Sequence, residues 1–137
     1  EQSAKDLAIR PLLFGVTVLT SLDDGDLREM GFGGGYLATV KRLAGLALES
    51  GADGIICSPG EVSPLREEFG EDFFIATPGI RLGKDSAGDQ KRVNTPEEAI
   101  SSGADMIIAG RSITQKSDIG AAVDIFLKEI KNALNAY

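Results

Sequence analysis

Apolar runs and polar breakers alternate along this chain in a regular way. After Pro11 comes Leu12-Leu13-Phe14-Gly15-Val16-Thr17-Val18-Leu19, a near-continuous apolar run that ends at Thr20-Ser21. Such a run predicts a strand covered on both faces, the pattern of a parallel sheet. A short helix is predicted from Asp26 to Met30, and Gly33-Gly34-Gly35 then breaks the chain. From Tyr36 to Glu49, residues Leu37, Val40, Leu43, Ala44, Ala47 and Leu48 fall on one helical face, with Gly51 where a C-cap belongs. Gly54 to Cys57 is a second short strand. Ser58-Pro59-Gly60-Glu61 then carries an N-cap serine, a proline at the first helical position and a glutamate at the third, a capping box that opens a helix to about Phe69. Phe73 to Ala76 is a third strand. Thr95-Pro96-Glu97-Glu98 repeats the capping signature and opens a helix to about Ser102. Met106 to Ala109 is a fourth strand, and Ile119 to about Leu134 a closing helix.

An internal echo organises these elements. Ser50-Gly51-Ala52-Asp53-Gly54-Ile55-Ile56 recurs as Ser102-Gly103-Ala104-Asp105-Met106-Ile107-Ile108. Each copy is a helix stop, a short turn and a buried strand, so the repeating unit is βα, the device of parallel sheets and (β/α)₈ barrels. Four such units fit in 137 residues, whereas a full barrel takes eight in about 250. The fold expected is α/β, one domain over residues 1–137, half of a (β/α)₈ TIM barrel.

Charge and cysteine content narrow the partners. The formal net charge of −7 repels nucleic acid and anionic membranes, so an anionic ligand must be held by a local cluster of cations. No apolar run approaches membrane-spanning length and no signal-peptide pattern opens the chain. A lone cysteine, Cys57, points to a reducing cytoplasm, and its apolar strand to a buried, inert thiol. Histidine is absent, which removes Ser-His-Asp and Cys-His chemistry and the commonest zinc ligand. The first residues are Glu1-Gln2-Ser3 with no initiator methionine, as after processing or in a piece of a longer chain.

Two arginines carry the candidate chemistry. Arg81 follows the third strand in Ala76-Thr77-Pro78-Gly79-Ile80-Arg81, and Arg111 follows the fourth in Gly110-Arg111. At the carboxyl ends of neighbouring parallel strands, where barrel active sites lie, both would point at one patch of space. A guanidinium suits bidentate contact with phosphate, and Gly110 would let a ligand oxygen approach the backbone N–H. The loop between them carries Lys84, Lys91 and Arg92 against Asp85 and Asp89. It also holds Gln90, able to donate and accept, in a stretch long enough for a lid. Thr20 and Ser21 either present hydroxyls to the site or cap the acidic turn that follows. Asp23-Asp24-Gly25-Asp26 lacks the ligand spacing of a calcium loop and reads as a solvated turn with helix-dipole charges. No general acid or base stands at a predicted strand end.

Five motifs in order resemble one family. They are Val16-Thr17-Val18-Leu19-Thr20-Ser21, Ala76-Thr77-Pro78-Gly79-Ile80-Arg81, Gly88-Asp89-Gln90-Lys91-Arg92, Thr95-Pro96-Glu97-Glu98-Ala99 and Gly110-Arg111-Ser112-Ile113-Thr114. From about Pro11 onward the chain resembles the carboxyl-terminal half, strands 5–8, of bacterial orotidine 5′-phosphate decarboxylases. The resemblance implies a lyase of pyrimidine biosynthesis that converts orotidine 5′-phosphate to UMP and CO₂ with no metal and no organic cofactor. It implies that Thr20 contacts the nucleotide and Pro78 lines the base pocket. Arg81, Gly110 and Arg111 would hold the 5′-phosphate, and Gln90 would bridge phosphate and pyrimidine from a closing loop. The family's Asp-x-Lys-x-x-Asp motif and its upstream lysine belong to the amino-terminal half and are not in this sequence. The resemblance therefore implies a binding half that is inactive alone, completed by the amino-terminal half or by a second copy in a homodimer. Two other readings stay open from the residues: another phosphate-binding barrel, such as a hexulose-phosphate synthase or a histidine-biosynthesis isomerase relative, and a self-associating half-barrel scaffold.

Overall fold

The computed structural model describes residues 10–82 and 94–135. Four strands, β1 (Phe14–Val16), β2 (Gly54–Ile56), β3 (Phe74–Thr77) and β4 (Met106–Ile107), form one parallel sheet in the order β1-β2-β3-β4. Between and after them run α1 (Asp24–Glu29), α2 (Tyr36–Glu49), α3 (Val62–Phe69, entered through a 3₁₀ turn at Pro59–Glu61), α4 (Pro96–Ser101), α5 (Arg111–Thr114) and α6 (Ile119–Asn135). Strand neighbours in sequence are neighbours in space, joined by helical crossovers, as a βα repeat requires.

Local chemistry explains most boundaries. Asp23 caps α1, accepting from the backbone N–H groups of Gly25 and Asp26 at 2.8 and 3.1 Å, while Asp26 accepts from Asp23 N–H at 2.8 Å. The acidic cluster is thus a helix start, and Thr20 and Ser21 are not its cap. Thr95 and Glu98 close the capping box of α4 at 3.2 and 2.8 Å. Three strands are shorter than the apolar runs that predict them, and β3 keeps the length of its run but lies one residue further on. β1 pairs only through Phe14–Val16, because the run continues past the sheet into the turn leading to α1. The four-residue α5 is a further element that the sequence pattern does not announce.

The echo has a tertiary counterpart. Gly51 and Gly103 end their helices at φ 89° and 100°, the left-handed conformation that favours glycine. Each following aspartate then makes a reciprocal pair with the neighbouring strand. Asp53 N–H donates to Leu13 O (2.8 Å) and the Asp53 carboxylate accepts from Leu13 N–H (2.7 Å). Asp105 N–H donates to Ile75 O (3.0 Å) and its carboxylate accepts from Ile75 N–H (2.7 Å). An arginine completes each: Arg10 on Asp53 and Arg66 on Asp105, both at 2.7 Å.

The sheet has one covered face. Ile55 and Ile75 are fully buried in a cluster with Val40 and Ala44 of α2 and Val62 and Leu65 of α3. A second cluster joins Ile80, Ala99 of α4 and Phe126 of α6, with Ile107 and Ile113 against it. The alternate positions are apolar too, yet Val16 is 56% exposed and Phe74 43%, and Met106 and Ile108 are exposed beside them.

Candidate functional site

The strand ends bring the predicted residues to the same end of the sheet in two groups. In the first, the chain leaving β1 (Val18, Leu19, Thr20, Ser21), the residue after β2 (Cys57) and the residue after β3 (Pro78) line a cavity of about 230 Å³ with Val16 and Ile56. Its lining is apolar apart from the two hydroxyl residues, and Thr20 is buried. The volume is below the roughly 300–1,000 Å³ of sites that enclose a whole small ligand, so it suits a ring more than an entire nucleotide. Cys57 is buried in the wall, and burial, helped by the nearby Glu61 carboxylate, pushes its thiol up to about 12. It is a neutral, unreactive thiol at physiological pH, as its apolar strand predicts.

The second group holds the arginines. Past β3 the chain bends at Pro78-Gly79. Ile80 then bridges in parallel to Asn94, and Arg81 N–H donates to Asn94 O at 3.0 Å. The Ile80 carbonyl accepts from the Arg81 guanidinium at 2.9 Å and from the Ser112 hydroxyl at 3.0 Å. One carbonyl therefore ties Arg81 to the first turn of α5, which opens at Arg111. A methyl group built on Gly110 would meet no atom within 4 Å, so open space, not packing, adjoins that backbone. Arg81 is half-buried and Arg111 exposed. The structure thus joins Thr20 with Pro78, and Arg81 with Gly110-Arg111. Gln90 lies outside the described residues, as do Lys84, Asp85, Asp89, Lys91 and Arg92. Among the described residues no group of three or more His, Cys, Asp or Glu could hold a metal ion.

Two residues were missed by sequence reasoning. Ser112 sits beside Arg111, but nothing in the sequence signals that it is buried and reaches back to Ile80, beyond the end of β3. Glu61 reads as a capping glutamate, yet it is only 3% exposed. Its carboxylate accepts from Ser58 N–H at 2.9 Å, and from the Ser58 and Tyr36 hydroxyls. Burial raises it from 4.5 to about 7, opposed by the bonds from Ser58.

Comparison with known proteins decides the family. The sequence profile described as "Orotidine 5′-phosphate decarboxylase / HUMPS family" matches residues 2–125. The chain belongs to this family. It is 48% identical over 122 residues to the orotidine 5′-phosphate decarboxylase of Coxiella burnetii, spanning 89% of this chain and 52% of that protein. It is 46% identical over 120 residues to that of Rhodospirillum rubrum, spanning 88% and 49%. Among solved structures, the orotidine 5′-phosphate decarboxylase of Lactobacillus acidophilus superposes with a TM-score of 0.73 at 42% identity, over 88% of this chain and 50% of that one. The Sulfolobus solfataricus enzyme, at 20% identity and a TM-score of 0.63, shares the fold. The chain spans about half the length of the curated relatives it matches. Its four-stranded parallel sheet is accordingly half of a (β/α)₈ barrel, and the exposed apolar face is the one that the rest of a barrel encloses. Among the described residues no helix is long and apolar enough to cross a membrane.

Proposed function

We propose that this chain is the carboxyl-terminal, phosphate- and nucleotide-binding half of an orotidine 5′-phosphate decarboxylase, and that it works in the cytoplasm when joined to an amino-terminal half. The observation that carries this reading is the shared Ile80 carbonyl, which draws Arg81 and the start of α5 into one corner next to the Thr20–Pro78 cavity.

In this reading Arg81 and Arg111 grip the 5′-phosphate, and the open space at Gly110 admits a phosphate oxygen. The pyrimidine packs in the cavity against Pro78 with Thr20 at its edge. Gln90 closes over both from the loop. Chemistry comes from elsewhere: a lysine of the Asp-x-Lys-x-x-Asp motif protonates the ring carbon as CO₂ leaves, with a neighbouring carboxylate disfavouring the substrate's own. The phosphate grip contributes by spending remote binding energy on orienting the reacting carbon. Alone, the chain binds and does not turn over.

Calorimetry with UMP tests the assignment, on the chain alone and after mixing with the amino-terminal half of a relative. Wild type binds weakly alone and more tightly in the mixture, and Arg111→Ala loses at least about tenfold, the loss expected for a desolvated arginine–phosphate contact. Equal binding by both proteins removes the phosphate assignment. Decarboxylase activity in the unmixed chain would overturn the division of labour.

A further inference from the structure

Three strand ends wall the cavity, Pro78 after β3 among them. Two of these walls come from the chain leaving β1, Val16 and Val18 through Ser21, and from Ile56 with Cys57 at the end of β2. Directly after Cys57 stands Ser58, buried, followed by the buried Glu61. Tyr36, the first residue of α2, packs in the same apolar cluster as Val18, Leu22, Leu27 and Phe32, the residues that fix the path of the β1–α2 connection. The Tyr36 phenol and the Ser58 hydroxyl both donate to Oε1 of Glu61, while Ser58 N–H donates to Oε2. One carboxylate oxygen thus receives a donor from behind each of these two walls, across 25 residues of sequence.

We propose that Glu61 is a positioning residue for the base-side cavity: it clamps the β1–α2 connection to the turn after β2, setting the separation of the two walls while leaving the arginine corner alone. As to ligand, this rests on the nucleotide reading above; the clamp itself does not. A capping glutamate needs only the Ser58 N–H and is normally solvated. Burial of this one and its bond to Tyr36 go beyond capping. Three donors on two oxygens also match a carboxylate and not an amide, which has a single acceptor oxygen. The arginine corner is built separately, on β3, α5 and the Ile80 cluster, so the two halves of the site can be disturbed independently. Among the described residues, ionisable groups that face Glu61 include Tyr36 of α2 and the Cys57 thiol, on which Arg66 of α3 also acts.

Two measurements on the full chain test this, with Glu61→Gln and the milder Tyr36→Phe. The first needs no ligand. In wild type, amide NMR signals of Ser58 and of Val18–Ser21 titrate together with one midpoint near 7. Glu61→Gln abolishes the titration on both walls, and Tyr36→Phe abolishes it on the Val18–Ser21 side while Ser58 keeps it. Titration confined to Ser58 in wild type would reduce Glu61 to a cap and overturn the clamp. The second compares UMP with ribose 5-phosphate: Glu61→Gln weakens UMP about tenfold and ribose 5-phosphate by less than about twofold, because only the base-side geometry has moved. Equal weakening of both ligands would also overturn the proposal. If wild type binds neither ligand, the nucleotide reading falls and the titration still decides the clamp.

Discussion

At the scale of single residues, Glu61 shows how two opposing terms set one proton. Burial disfavours its charge and the two donors of Ser58 favour it; burial prevails and raises the group from 4.5 to about 7. A carboxyl raised in the folded state binds its proton there while the unfolded chain has already lost it. Stability conferred this way is present below pH 4.5 and is lost as pH rises from about 4.5 to about 7. Urea unfolding should therefore give a wild-type stability lower at pH 8 than at pH 5, by an order of 2–3 kcal/mol, and Glu61→Gln should flatten this dependence. A wild type equally stable at both pH values would contradict the burial argument. The capping pattern that revealed Glu61 in the sequence described its backbone role and none of this, since burial belongs to the neighbours and not to the motif.

At the scale of elements, the echo of Ser-Gly-Ala-Asp is a repeated joint. A left-handed glycine ends the helix, and an aspartate makes a two-way pair with the adjoining strand and accepts an arginine. The two joints are unequal. Arg66 is largely covered, lies over the Phe73 ring at 4.8 Å and also donates to Gly103 O and Phe73 O. Arg10 on Asp53 is 44% exposed, where an ion pair adds little. Asp105→Ala should thus cost about 1–3 kcal/mol, chiefly through the partly buried Ile75 N–H left without its acceptor, and Asp53→Ala clearly less, because the Leu13 N–H it frees is open to water, as chemical denaturation of both variants would report. Arg10 and Leu13 N–H hold the Asp53 carboxyl below its ordinary 3.8, so its contribution is present at neutral pH and fades only as pH falls below that value.

At the scale of the whole molecule, the uncovered face governs behaviour. Four parallel strands leave β1 and β4 as edges, and Val16, Phe74, Met106 and Ile108 stand exposed on the inner face, an association surface by its composition and its open edges. The chain should not run as a monomer at micromolar concentration in light scattering. A net charge of −7 makes copies repel, so raising the salt concentration should strengthen self-association. Adding the amino-terminal half should replace self-association by a one-to-one complex. A monomeric mass at all salt concentrations would refute this expectation.

Much of this was local and so could be read from the chain alone. Apolar period, glycine stops and capping boxes determine four βα units, and α2 begins and ends where its pattern says, at Tyr36 and Glu49. The motif order also named Thr20, Pro78, Arg81, Gly110 and Arg111 before any of them had a position. Which of them meet depended on strand register and on a single carbonyl at Ile80, contacts between residues up to 32 apart that no local pattern encodes. The same holds for the buried Glu61 and for the face left open. Secondary structure follows from nearest neighbours in sequence, but burial and convergence are set by neighbours in space, and only the packed sheet supplies those.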